Sequence, residues 1–143
     1  MKHFKLRLGF TAFFLSVAVA GFAQSKQLQA DSVTGLYWSP GKNAKIEIYK
    51  KAGKYYGKSV WVAVAAKDIK NPDKTLQSRE VRGIELLANF TFKDGSYTNG
   101  TIYDPGSGKT YDCKMRLNGD NLTVRGYIGI SLFGRTENFQ RIK

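Results

Sequence analysis

Side chains able to do chemistry are scarce in this 143-residue chain, which holds one histidine, His3, and one cysteine, Cys113. Histidine is the commonest general acid or base near neutral pH. Beyond His3 there is no imidazole for a Ser-His-Asp or Cys-His relay. Zinc and copper sites built from His and Cys are excluded in the same way, Cys113 being the single candidate ligand. Paired carboxylates remain, and Asp104 and Asp112 are the notable near neighbours, yet both sit at or beside turns rather than across a cleft. "GSGK" (Gly106–Lys109) matches a fragment of a phosphate-cradling loop, but the rest of the spacing and a following helix are missing. "DPGSGK" and "NGDN" lack the carboxylate density of a calcium loop. The expectation is a protein without a catalytic site, metal or cofactor.

What remains is binding chemistry. Trp38, Trp61, Tyr103, Tyr111 and Phe133 stand near strand ends and loops, where aromatic faces wall a ligand cavity or simply fill a core. Arg82, Arg125 and Arg135 each adjoin a glycine, in "VRG", "VRG" and "GRT". A missing side chain there leaves room for a guanidinium to reach an anionic group or a carbonyl. Loop capping, or pairing with Asp104, Asp112 or Glu137, uses the same residues. Cys113 shares a strand face with Tyr111, Met115 and Leu117, so it reads as a buried thiol.

The elements that must position these groups are strands. "AKIEIYK" (Ala44–Lys50) alternates Ile46 and Ile48 against Lys45, Glu47 and Tyr49. "KAGK" turns the chain into "YYGKSVWVAVA" (Tyr55–Ala65). A long irregular stretch, Ala66–Gly83, carries the Asn71-Pro72-Asp73 turn. "IELLANFTF" (Ile84–Phe92) then places Ile84, Leu86, Ala88, Phe90 and Phe92 on one face by strict alternation. The turns "KDGS", "DPGSGK" and "NGDN" separate "YTNGTIY", "TYDCKMRL" and "LTVRGYI", and the loop "GISLFG" leads to "TENFQRI". Lys74–Glu80 has room for a short helical turn, but no stretch reads as a helix of ten residues. About eight sequential antiparallel strands with one apolar face must bury it in a second sheet or by closing on themselves. Closure removes the sticky edges, so an all-β, small up-and-down β-barrel is favoured, with a β-sandwich as the alternative.

The chain opens on Lys2, His3, Lys5 and Arg7, runs apolar from Leu8 to Ala23, and offers small residues at Gly21 and Ala23. That is the pattern of a secretory signal peptide over residues 1–23. The run is too short for a good membrane span, and no transmembrane segment is expected after cleavage. No cysteine follows it to carry a lipid. Residues 24–33 read as a polar, flexible segment, and 34–143 as one domain exported to the periplasm or beyond. Removing Lys2, Lys5 and Arg7 from the 23 basic residues, against 11 acidic ones, leaves a mature charge of +9. Lys42, Lys45, Lys50, Lys51, Lys54 and Lys58 crowd the first hairpin among Tyr49, Tyr55 and Tyr56. Export argues against nucleic acid. An anionic envelope surface or a protein partner would be drawn to such a field, while a solvated lysine edge that deters aggregation accounts for the same residues.

"TGLYWSP", "YYGKSVWV", "KNPD" and "VRGIELL", and above all "IYDP-SGK-Y" and "VRGYIG---GRT", give the chain a resemblance to a bacterial family of secreted proteins known as domain of unknown function 2147. The resemblance covers nearly the whole mature chain. It implies a lipocalin-like, or calycin, barrel in the periplasm with no enzymatic activity, holding a small apolar or amphipathic ligand. Two departures stand out. Where the family begins Gly-x-Trp, this chain has Gly35-Leu36-Tyr37, with Trp38 one place later; where the family has a tryptophan before its last arginine, this chain has Phe139. In calycins a last-strand arginine lies across the first-strand tryptophan and closes one barrel end. The resemblance implies that closure for Arg141 with Tyr37, and leaves Trp38, one place on, as the other aromatic for the role.

Overall fold

The computed structural model describes residues 16–143. Most of the leader expected over 1–23 lies outside the described residues. The last part of it belongs to a helix, α1 (Ser16–Asp31), which also takes in most of the segment 24–33 expected to be flexible. That expectation is corrected here. Lys26, Gln27, Leu28, Gln29 and Ala30 are all good helix formers. The helix ends where the Ser32 and Thr34 hydroxyls donate to the carbonyls of Gln29 and Asp31, at 2.6 and 2.8 Å, so that its last turn does not leave them bare. Ala30 and Val33 are buried, which anchors the segment.

Eight strands follow: β1 (Gly35–Trp38), β2 (Ala44–Lys51), β3 (Lys54–Val62), β4 (Glu85–Lys93), β5 (Ser96–Asp104), β6 (Lys109–Asn118), β7 (Asn121–Tyr127) and β8 (Arg135–Arg141). Each pairs antiparallel with its sequence neighbours, and β1 pairs with β8 through Tyr37↔Arg141 and Trp38↔Gln140. The sheet is therefore a closed up-and-down barrel and not a sandwich. The tight turns at Ala52-Gly53 and Asp94-Gly95 have positive φ at both central residues, the geometry that matches strand twist in two-residue hairpins. Up-and-down order sends the β2–β3, β4–β5 and β6–β7 turns to one end, here the base. The β1–β2, β3–β4, β5–β6 and β7–β8 connections form the rim.

Inward side chains fill the barrel from the base: Tyr37, Ile46, Ile48, Tyr55, Leu87, Phe90, Tyr97, Met115, Leu122, Val124 and Phe139, with Cys113 among them, are all buried. Each large apolar side chain removed from water contributes about 1.5–3 kcal/mol. Gly100 on β5 makes room for Phe90, since a methyl group there would overlap the ring. One face of β4 differs from the alternation expected. Leu87 and Phe90 both point inward because Asn89, at φ 66, adds an extra residue between their pairings with Gly57 and Tyr55 on β3.

Candidate functional site

The two ends of the barrel are built differently. At the base, Arg141 on β8 crosses the ring of Tyr37, with its guanidinium carbon 4.8 Å from the ring centroid. Its Nη1 and Nη2 donate to the carbonyls of Thr34 and Ser32 at 2.9 and 2.5 Å. Gly35 permits this crossing, because a Cβ there would sit 2.6 Å from Nη1. Three tyrosine hydroxyls reach the same closing segment. Tyr37 donates to the Val33 carbonyl at 2.9 Å, Tyr97 to the Ala30 carbonyl at 2.6 Å, and Tyr55 to Asp31 Oδ1 at 2.5 Å. The Tyr55 hydroxyl, the Gln27 amide and the Lys50 ammonium hold the Asp31 carboxyl down at about 2, against an ordinary 3.8. Burial pushes the Tyr37 phenol up to about 12. The base is sealed.

The rim leaves the larger opening; a second open groove, of about 500 Å³, lies on the β1–β2 wall beside the base, along Gly35, Leu36, Glu47 and Tyr49. Residues 63–84 connect β3 to β4 and are pinned at two points. Ser59 Oγ donates to the Val81 carbonyl and accepts from the Gly83 amide at 3.1 Å. Asp68, fully buried, accepts from the Tyr103 hydroxyl at 2.5 Å, the Asn71 amide at 2.8 Å and Arg79 Nε at 2.9 Å. Burial opposes ionisation of Asp68, but these donors and the Arg79 charge outweigh it and hold the carboxyl below the usual range. Between this loop, the end of β3 and the β5–β6 turn runs an open cleft of about 620 Å³. Val62, Val64, Ile69, Val81, Leu86 and Pro105 give it apolar walls; Ser59, Lys67, Lys70 and Asp104 give it polar edges.

None of the eight ligand-contact candidates lines this cleft. Trp38 and Trp61 lie on the outer wall, edge to face at 5.7 Å, with the Lys45 ammonium 4.7 Å from the Trp38 ring. The inward place on β1 belongs to Tyr37, and a register shift in β2–β3 turns Ser59 inward and Trp61 out. Tyr103 is occupied with Asp68, and Arg82 is exposed on the loop. Tyr111 stands half-buried opposite Ile102, toward the inner wall near Gly126. Arg125 caps its own connection, donating to the Ser131 and Leu132 carbonyls at 2.7 and 3.1 Å, and to Thr136. Arg135 pairs with Glu137 at 3.1 Å, and Phe133 projects into solvent. The barrel-closing pair, Tyr37 and Arg141, does meet. Sequence reasoning passed over Asp68, Asn71, Ser59 and Asp31. Polar residues in a polar stretch carry no local mark of burial; the Asn-Pro turn beside Asp68 was the only hint of order.

The other candidate groups are engaged elsewhere. Asp104 accepts from the Gly106 amide and Ser107 hydroxyl of its own turn, at 2.9 and 2.7 Å. Asp112 is exposed on the outer side of β6, since Cys113 beside it points inward. Burial pushes the Cys113 thiol up to about 12. In the first hairpin, Lys50 pairs with Asp31 at 2.9 Å, Lys58 with Glu47 at 3.1 Å, and Lys51 lies 3.9 Å from Glu85. Among the described residues no three His, Cys, Asp or Glu side chains converge on a metal position, and no helix is long and apolar enough to cross a membrane.

A closed eight-stranded antiparallel barrel, sealed at one end by an N-terminal helix and an arginine–aromatic stack, is a lipocalin-like barrel. Among solved structures, protein HP1028 from the human pathogen Helicobacter pylori, described as belonging to the lipocalin family, superposes with a TM-score of 0.72. It is 24 % identical, over 78 % of this chain and 84 % of that one, a likeness of fold. Residues 35–141 match the model of DUF2147, described as an uncharacterised protein conserved in bacteria, and the chain belongs to that family. No curated protein matches it.

Proposed function

We propose that this chain is an exported binding protein that holds a small apolar or amphipathic molecule at the rim of its barrel and does no chemistry on it. The observation that carries the reading is the 620 Å³ cleft, apolar in its walls and polar at its edges, at the end opposite the sealed base. Pockets of this size and lining suit one small ligand. The lower barrel is filled with side chains, so the ligand sits shallow, against Val64, Ile69 and Leu86. The basic, apolar and small-residue opening of the sequence supports export. The lack of any histidine after His3 supports binding without turnover.

The test uses 1-anilinonaphthalene-8-sulfonate as a saturable probe, displaced by lauric or palmitic acid. Val64 and Ile69 are exposed, so Val64→Asp with Ile69→Asp leaves the fold intact. The double variant should weaken displacement about tenfold or more, as expected when charges enter an apolar wall. Absence of saturable dye and fatty-acid binding, together with no organic molecule in a solvent extract of protein isolated from its native envelope, overturns the reading.

A further inference from the structure

The β7–β8 connection turns four large apolar residues outward within six positions, outside the cleft that Val64 and Ile69 help to line. Ile128, Ile130, Leu132 and Phe133 are 74, 58, 74 and 78 % exposed. They do not hang on a slack loop. Arg125 grips the Ser131 and Leu132 carbonyls, Lys114 donates to Ser131 Oγ at 3.1 Å, and residues Ser131–Phe133 form a 3-10 turn. The backbone is thus held from beneath while four apolar side chains face solvent. Four exposed apolar side chains gathered within one braced loop mark an interaction surface.

Charge selects the partner. From Ile128 to Gly134 there is no acidic residue. Lys67, Lys70, Lys74, Arg82, Lys109 and Arg135 lie exposed on the same end and outnumber Asp73, Glu80, Asp104 and the Glu137 that pairs with Arg135; the chain carries +12, or +9 without residues 1–23. A second copy docking rim to rim would bring two basic surfaces together. An anionic lipid surface satisfies both features, with apolar side chains entering the acyl boundary and cations meeting headgroups. We infer that residues 128–134 are a membrane-docking loop that seats the barrel, rim down, on an anionic bilayer. The inference does not depend on whether the cleft holds a ligand.

The test places an environment-sensitive nitrobenzoxadiazole label on Phe133→Cys in the full chain, with a control label on Asn118→Cys at the base. Cys113 is buried and does not compete for the label. With vesicles of phosphatidylglycerol and phosphatidylcholine, the label at 133 should brighten several-fold and shift to the blue, while that at 118 stays unchanged. High salt or pure phosphatidylcholine should reduce the response. Arg135→Gln should weaken vesicle partitioning roughly fivefold, the effect of one cation near such a surface. No change at 133, an equal change at 118, or brightening at 133 on concentrating the protein without lipid would each overturn the proposal, the last in favour of self-association.

Discussion

Replacing Arg141 by methionine tests how the base is sealed. Methionine keeps an apolar stem over Tyr37 and removes the guanidinium. Lost with it are the two hydrogen bonds to the Thr34 and Ser32 carbonyls and the stack on the Tyr37 ring. A hydrogen bond from a charged donor contributes about 1.5–3 kcal/mol, and a cation over an aromatic face about 0.5–2 kcal/mol. Ser32 is exposed, so water replaces part of the first contribution. The net loss should be about 2–4 kcal/mol. At this chain length that lowers Tm by roughly 10 °C. Urea titration gives the free energy, and hydrogen exchange at residues 30–34 should rise in Arg141→Met before the strands loosen. Arg141→Lys separates charge from geometry: a point charge cannot bridge two carbonyls and stack at once, so lysine should recover less than half. A cycle with Tyr37→Leu should give a coupling of about 0.5–1.5 kcal/mol. A methionine variant within about 0.5 kcal/mol of the parent, or full recovery by lysine, would refute the latch.

Asp68→Ala should free the 63–84 loop by stripping the acceptor shared by Tyr103, Asn71 and Arg79. The expected cost is about 2–4 kcal/mol, and trypsin cleavage at Lys67, Lys70 and Lys74 should accelerate at least tenfold; an unchanged digestion pattern would contradict it. Asp31 titrates lower folded than unfolded, so its contribution is present above pH 3.8 and lost as pH falls toward about 2. Because its side chain is 39 % exposed, solvent screening reduces that contribution to about 1 kcal/mol, and in Asp31→Asn this acid-dependent loss should vanish from urea midpoints. Cys113 shifts the other way. Its contribution is present below its ordinary 9.0 and lost as pH rises toward about 12. A disulfide-exchange reagent at mildly alkaline pH should therefore label it only as fast as the barrel opens, and rapid labelling of the native protein would show the thiol is not enclosed.

Much of the architecture could be read from alternation and turn chemistry. Ile46 against Glu47, or Cys113 and Met115 against Asp112 and Lys114, states which way a strand faces, and Ala52-Gly53 and Asp94-Gly95 state where it reverses. Local pattern failed where one residue changes the count. Asn89 reads as an ordinary polar position, yet its left-handed backbone moves the inward side from Leu86 and Ala88 to Leu87. α1 went unread because "SKQLQAD" is mostly polar and takes its place from contacts with Lys50, Tyr55 and Tyr97 far along the chain. The rim was harder still. Its aromatics and arginines could be named as candidates, but whether Trp61 faces in or out depends on a strand shift, and the burial of Asp68 depends on Tyr103, 35 residues away.

Trp38 and Trp61 are the only tryptophans in the sequence, and they touch each other beside the upper edge of the barrel. Lys45 sits against both indoles, and Trp61 adjoins Val62 of the cleft wall. Indole emission from this molecule therefore originates at a single location, next to the compartment where cargo would arrive and far from the plugged floor. Filling of the cleft as proposed would then be readable without dye or tag, in the colour and brightness of one indole pair beside its wall.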